Sequence, residues 1–129
     1  MTIARQLTVM LENRPGKLAE LASELARVAV NISALMLTDV KPVGPVRMVV
    51  SNPEAARKVC SVLGLPVVEE NVLAIKVSDK PGALGKITRK LAEKGINVEY
   101  AYGSIVKGAD RALIVLGVSD LRAAEKVLG

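Results

Sequence analysis

The sequence predicts an α+β fold of two tandem βαββαβ modules, with sheets side by side, helices on one face, and a second module lacking its fourth strand. Three observations lead there. The chain matches itself at a shift of 66 residues, each copy opens on an alternating apolar stretch, and each then shows a Pro-Gly turn followed by a helical apolar stripe.

The self-match is dense in its first half. Leu7 falls on Leu73, Pro15 on Pro81, Gly16 on Gly82, Leu18 on Leu84, Leu25 on Leu91 and Asn31 on Asn97, while Asn13 meets Asp79 and Arg14 meets Lys80. Further on the shift becomes 68, with Ala55, Ala56, Lys58 and Val59 falling on Ala123, Ala124, Lys126 and Val127. A period of this size marks duplicated modules, and the boundaries expected are 1–70 and 71–129.

Leu7, Val9 and Leu11 alternate, as do Leu73, Ile75 and Val77, which is the period of a half-buried strand. The even shift means that both copies bury the same face. Leu18, Leu21, Ala22, Leu25 and Val28 then trace one face of a helix, and Leu84, Ile87 and Leu91 trace its counterpart. Two strands follow over 31–40 and 45–51, joined through 41–44, where Pro42 and Gly44 favour a turn. Residues 97–106 and 110–118 mirror them. Asn52 followed by Pro53 announces the next helix, and Ser119 or Asp120 takes that capping role in the second copy. The stripes Ala56, Val59, Cys60, Leu63 and Leu121, Ala124, Val127, Leu128 face the core. Residues 66–70 form a short fourth strand, for which the second copy has no equivalent. In the ferredoxin-like strand order this leaves 71–78 as a sheet edge that a neighbouring module or subunit must cover.

The 129 residues are half apolar, yet Tyr100 and Tyr102 are the only aromatics, so the core is aliphatic. The formal charge of +5 is spread out, with eight basic and five acidic side chains in 1–66 and ten and eight in 67–129. Such a balance describes a solvated surface rather than a nucleic-acid tail or a membrane patch. There is no His, and Cys60 sits at helical spacing among apolar residues, which suits a core thiol. No catalytic residue, metal-ligand spacing or cofactor motif is evident. With one thiol and no apolar leader or spanning stretch, a cytoplasmic location is expected.

The informative stretch is LENRPGKL at 11–18 with its copy VSDKPGAL at 77–84. Pro fixes how the chain enters the helix, Gly admits close backbone approach, and the N–H groups of a first helical turn can receive a carboxylate. Asn13 or Asp79 could bind a ligand's polar groups or merely cap the helix. Together with NI and NV opening each second strand at Asn31 and Asn97, these motifs resemble the ACT domain family, over essentially the whole chain as two domains.

The resemblance implies a non-catalytic regulatory protein that binds an amino acid where two modules join through their second strands and first helices, as in the regulatory domain of phosphoglycerate dehydrogenase. Carried over, one site contains Asn13, Arg14, Pro15, Gly16 and Leu18 with Asn97 and Tyr100 from the other module. The reciprocal site contains Asp79, Gly82 and Leu84 with Asn31. Serine-binding relatives have His where Leu11 and Val77 stand, so this sequence departs from them there. Asp79 would repel a ligand carboxylate but could take its ammonium group, which favours the Asn13 and Asn97 pocket. Leu11, Met36 and the tyrosines point to an apolar or branched amino acid, though the tyrosines equally suit an interface.

A homodimer is expected. The alternative is a regulatory subunit of a separate biosynthetic enzyme, resembling the acetolactate synthase small subunit. RNA-recognition modules share the same order of strands and helices, but they need aromatics on central strands, and here those strands are aliphatic.

Overall fold

The computed structural model describes residues 2–105 and 108–129. Its elements run β1 (Thr2–Glu12), α1 (Lys17–Arg27), β2 (Ile32–Leu37), β3 (Val43–Val50), α2 (Pro53–Val62), β4 (Val67–Ser78), α3 (Ala83–Glu93), β5 (Val98–Ile105), β6 (Arg111–Val118) and α4 (Leu121–Leu128). They form two compact units, Arg5–Glu70 and Asn71–Gly129, and residues 2–4 group with the second of these.

In the first unit β3 lies between β2 and β1, antiparallel to both, with Leu7 opposite Met48 and Val9 opposite Val46. Leu7, Val9 and Met48 are fully buried against Leu21 and Leu25 of α1 and Ala56 and Cys60 of α2. The two helices therefore cover one face of this sheet. Beyond β1 come the opening residues of β4, where the Met10 N–H donates to the Pro66 C=O at 3.0 Å. Arg5 bonds Glu54 at 3.0 Å and Glu69 at 2.7 Å, and these carboxylates, Glu69 foremost, raise its guanidinium pKa. The pair is exposed, so it fixes geometry more than it stabilises.

The second unit repeats this plan. β6 lies between β5 and β4, with Leu73 opposite Leu116 and Ile75 opposite Ile114. Leu73, Ile75, Val77 and Leu116 pack with Leu91 of α3 and Ala124 of α4. No strand follows α4 among the described residues. β1 is the strand that neighbours β4, and its residues 2–4 belong to this unit.

Several details differ from the expectations. The fourth strand and the next module's first strand are one unbroken element, β4. β2 ends at Leu37 and β3 begins at Val43, because the backbone near 40–42 bonds elsewhere: the Asn13 N–H donates to the Pro42 C=O at 2.8 Å. Residue 106, the last of the expected 97–106 strand, lies outside the described residues. Val28 and Leu84 are 52% and 47% exposed rather than core, since they sit at the last and first turns, beyond the sheet-facing Leu25 and Leu91. Cys60 is buried in the core as expected, and burial pushes its thiol pKa up.

Both edge strands, β2 and β5, carry a bulge at their start. The register shifts between Ile32 and Ala34 and between Val98 and Tyr100. One extra residue flips the side chains after it. Tyr100 thus faces Gly117 and Tyr102 faces Val115, positions that alternate with the core residues Ala112, Ile114 and Leu116. The tyrosines share one face, and it is the sheet face away from the helices.

Candidate functional site

The two Pro-Gly loops adopt the same backbone. Gly16 and Gly82 are the N-caps of α1 and α3 at φ 88° and 89°, left-handed conformations that L side chains avoid. Neither helix has a side-chain cap. α2 and α4 do: the Asn52 carboxamide oxygen accepts from the Ala55 N–H at 3.1 Å, and the Asp120 carboxylate accepts from the Ala123 N–H at 3.0 Å. Ser119 instead accepts from the Asn97 N–H at 2.9 Å, which settles the choice between Ser119 and Asp120.

Asn13 and Asp79 are therefore not caps. A left-handed glycine at the N-cap position takes that place from any side chain upstream. The Asn13 Nδ2 donates to the Val40 C=O at 3.3 Å, tying the loop before β3 to the end of β1. At the repeated position the Asp79 N–H donates to the Asp110 C=O at 2.9 Å.

Beside the first loop is a small cleft of about 50 Å³, lined among others by Leu11, Asn13, Arg14, Leu18 and Thr38. The Arg14 Nε donates to the lining residue Glu12 at 2.7 Å, and Lys17 lies 4.0 Å from the same carboxylate, so both cations are paired locally. Thr38 Oγ1 is buried with no hydrogen-bond partner among the described residues.

The second loop opens on a cleft of about 540 Å³. Pro81, Gly82 and Ala83 form one side of it, and Lys76, Lys80, Lys86 and Arg111 supply four cations. Ser78 and Ile87 also line it. Sequence reasoning missed Lys76, Lys86, Arg111 and Thr38, because no local motif contains them. A comparison of the two copies position by position would have shown the first two, since Lys76 and Lys86 stand where the first copy has Met10 and Glu20.

The remaining expected site residues line neither cleft. Pro15 and Gly16 shape the first loop. Asn31 exchanges hydrogen bonds with Ser51, its N–H donating to Ser51 Oγ at 2.9 Å and its C=O accepting from the Ser51 N–H at 2.9 Å. Asn97 and Ser119 repeat this exchange. Leu84 and Asp79 lie outside the second cleft's lining. The Tyr100 ring lies so close over Gly117 that a Cβ there would collide with it.

Among the described residues no group of three or more metal-ligating side chains exists, and no helix is long and apolar enough to cross a membrane. The chain is thus a tandem of two ferredoxin-like modules, each starting its first helix from an uncapped Pro-Gly loop beside a cleft. The chain belongs to the ACT domain pair family, whose model matches residues 1–128. Protein BT0572 from Bacteroides thetaiotaomicron is similar over 98% of this chain and 86% of its own, at 32% identity and a TM-score of 0.90. The ligand-free regulatory subunit of aspartate kinase from Thermus thermophilus shares the fold at 16% identity and a TM-score of 0.69, covering 99% of this chain and 95% of its own. The corresponding subunit from Thermus flavus does so at 15% identity and 0.57, covering 100% and 98%. No curated protein matches in sequence.

Proposed function

We propose that the chain is a non-catalytic regulatory sensor that binds a free amino acid at its Pro-Gly loops. The observation that carries this reading is the contrast between its helices: α2 and α4 are capped by side chains, whereas α1 and α3 start uncapped beside clefts. First-turn N–H groups without a side-chain acceptor suit a ligand carboxylate. The buried Thr38 hydroxyl supplies a further polar partner at the first loop. Family membership supports the same assignment. Asn13 with Asn97, and Asp79 with Asn31, are the side chains proposed to hold the ligand, Leu11 and Met36 favouring an apolar one.

A homodimer is part of this reading, supported by the exposed Leu35 and Leu37 on the edge strand β2. A cytoplasmic setting is supported by the single buried thiol. The second reading is a regulatory subunit of a separate biosynthetic enzyme, supported by the likeness in fold to aspartate kinase regulatory subunits. Copurification of a stoichiometric enzyme would favour it over a stand-alone sensor. An RNA-binding role has less behind it, because the aromatics stand on the edge strand β5.

Thermal unfolding measured with each of the twenty amino acids tests the sensor reading. A ligand binding only the folded state adds about 2.7 kcal/mol at a hundredfold excess over its Kd. At least one amino acid should raise the Tm in proportion to the logarithm of its concentration, and Asn97→Ala should abolish that rise. Asn13→Ala also loosens the loop at Val40, so its unliganded stability must be measured alongside. A flat response to all twenty would end the proposal.

A further inference from the structure

The duplicated loops have diverged in charge. In the first module, Met10, Glu12, Arg14, Glu20 and Val43 occupy the positions at which the second has Lys76, Ser78, Lys80, Lys86 and Arg111. The last correspondence comes from the strand register, since Val43 pairs with Glu12 as Arg111 pairs with Ser78. Two acids of the first copy thus become a serine and a lysine, and two apolar residues become cations. No carboxylate lines the resulting cleft of about 540 Å³. Asp79 and Asp110 adjoin Lys80 and Arg111 in sequence, but the Asp79 N–H donates to the Asp110 C=O and both residues lie outside the lining.

None of the four cations has an ion pair or side-chain hydrogen bond among the described residues. They converge from four places: β4, the Pro-Gly loop, α3 and β6. Like charges gathered in one concavity repel each other and focus a positive potential there. A zwitterion of zero net charge relieves little of that, whereas each added negative charge relieves more. The volume also exceeds the first cleft's tenfold and falls in the range of small-molecule sites, roughly 300 to 1,000 Å³.

We propose that the second module's cleft is a receptor for a small polyanion, a molecule with two or more negative charges carried as carboxylate or phosphate. The inference rests on the reading of the Pro-Gly loops as ligand-docking segments, and it adds at the second loop a ligand class beyond the amino acid. Lys80 and Lys86 flank the start of α3, where the Ala83 N–H already donates to the Lys80 C=O at 3.2 Å, so it is chiefly ammonium groups that anionic oxygens meet there.

Thermal unfolding of the full chain in dilute phosphate-free buffer tests it, with citrate and pyrophosphate as probes, NaCl at matched ionic strength as one control and serine as a zwitterionic one. A saturable rise in Tm with at least one polyanion, beyond that of NaCl or serine, is expected. Citrate alone would mark the carboxylate class and pyrophosphate alone the phosphate class. Lys80→Gln with Lys86→Gln should weaken the apparent affinity roughly tenfold. Lys90→Gln with Lys94→Gln, which removes the same charge from the same module outside the cleft, should leave it intact. The proposal is overturned by Tm values that follow ionic strength alone, or by equal losses in both double variants. Stabilisation by a neutral amino acid without any by the polyanions defeats this inference and spares the sensor reading; the reverse pattern does the opposite.

Discussion

Glu12 and Arg14 form an ion pair of 2.7 Å at the first Pro-Gly loop. At the repeated positions Ser78 and Lys80 have no such pair, and the lysine's charge is left to the cleft. Ser78→Glu would rebuild the first module's arrangement in the second. It should reduce the stabilisation by citrate or pyrophosphate roughly tenfold in apparent affinity, with the fold unchanged by circular dichroism. An undiminished response would show that local charge does not govern that cleft.

The C-terminal turns of α1 and α3 are also duplicates with one difference. Ala29 stands at φ 57° where the second copy has Gly95 at φ 69°. In each, the carbonyl of the last buried leucine, Leu25 or Leu91, accepts from the residue just after this turn, Val30 or Ile96. A Cβ in the left-handed region costs about 1 kcal/mol. Ala29→Gly should therefore raise unfolding stability by about 0.5 kcal/mol in urea, after the entropy that glycine adds to the unfolded chain. Gly95→Ala should lower it by about 1 kcal/mol. A loss on Ala29→Gly would contradict this account of the turn.

Gly117 is required by the ring of Tyr100, not by its own backbone. Gly117→Ala should cost about 1 to 3 kcal/mol through overpacking. Adding Tyr100→Ala should recover most of that loss, giving a coupling energy above about 0.5 kcal/mol in a double-mutant cycle. Additive losses would mean that the two residues do not constrain one another.

Burial holds the Cys60 thiol pKa above its ordinary value, with Arg57 acting in the opposite direction. An unfolded thiol ionises near pH 8.5 while the folded one stays neutral. The associated stability is therefore complete below about pH 8.5 and declines as pH rises through that value toward the folded pKa. The stability difference between the wild type and Cys60→Ala should narrow between pH 7 and pH 10 in reducing urea titrations. A constant difference would indicate that the thiol is not the titrating group.

Much of the fold was readable because its signals are local. Leu7, Val9 and Leu11 alternate toward the core, Asn52 and Pro53 start α2, and the stripe through Ala56 and Cys60 lands in the core. The bulges were not readable: nothing in the letters around Ile32 or Val98 fixes where an extra residue enters the pairing, and that one residue decides the face of Tyr100. Capping at Asn13 and Asp79 is excluded only by the left-handed φ of Gly16 and Gly82, which the letters do not specify. The cationic cleft lay hidden for another reason, since Lys76 and Arg111 are far apart in sequence and meet only through the pairing of β4 with β6.

Residues 2–4 precede the whole of Arg5–Glu70 in the chain yet belong to the unit that Asn71–Gly129 completes. During synthesis, this leading segment must wait until β4 and β6 have emerged before its own unit exists, whereas Arg5–Glu70 can close as soon as it leaves the ribosome. Cleavage after Glu70 would accordingly release one piece that keeps every residue of its unit and a second that has lost part of a strand.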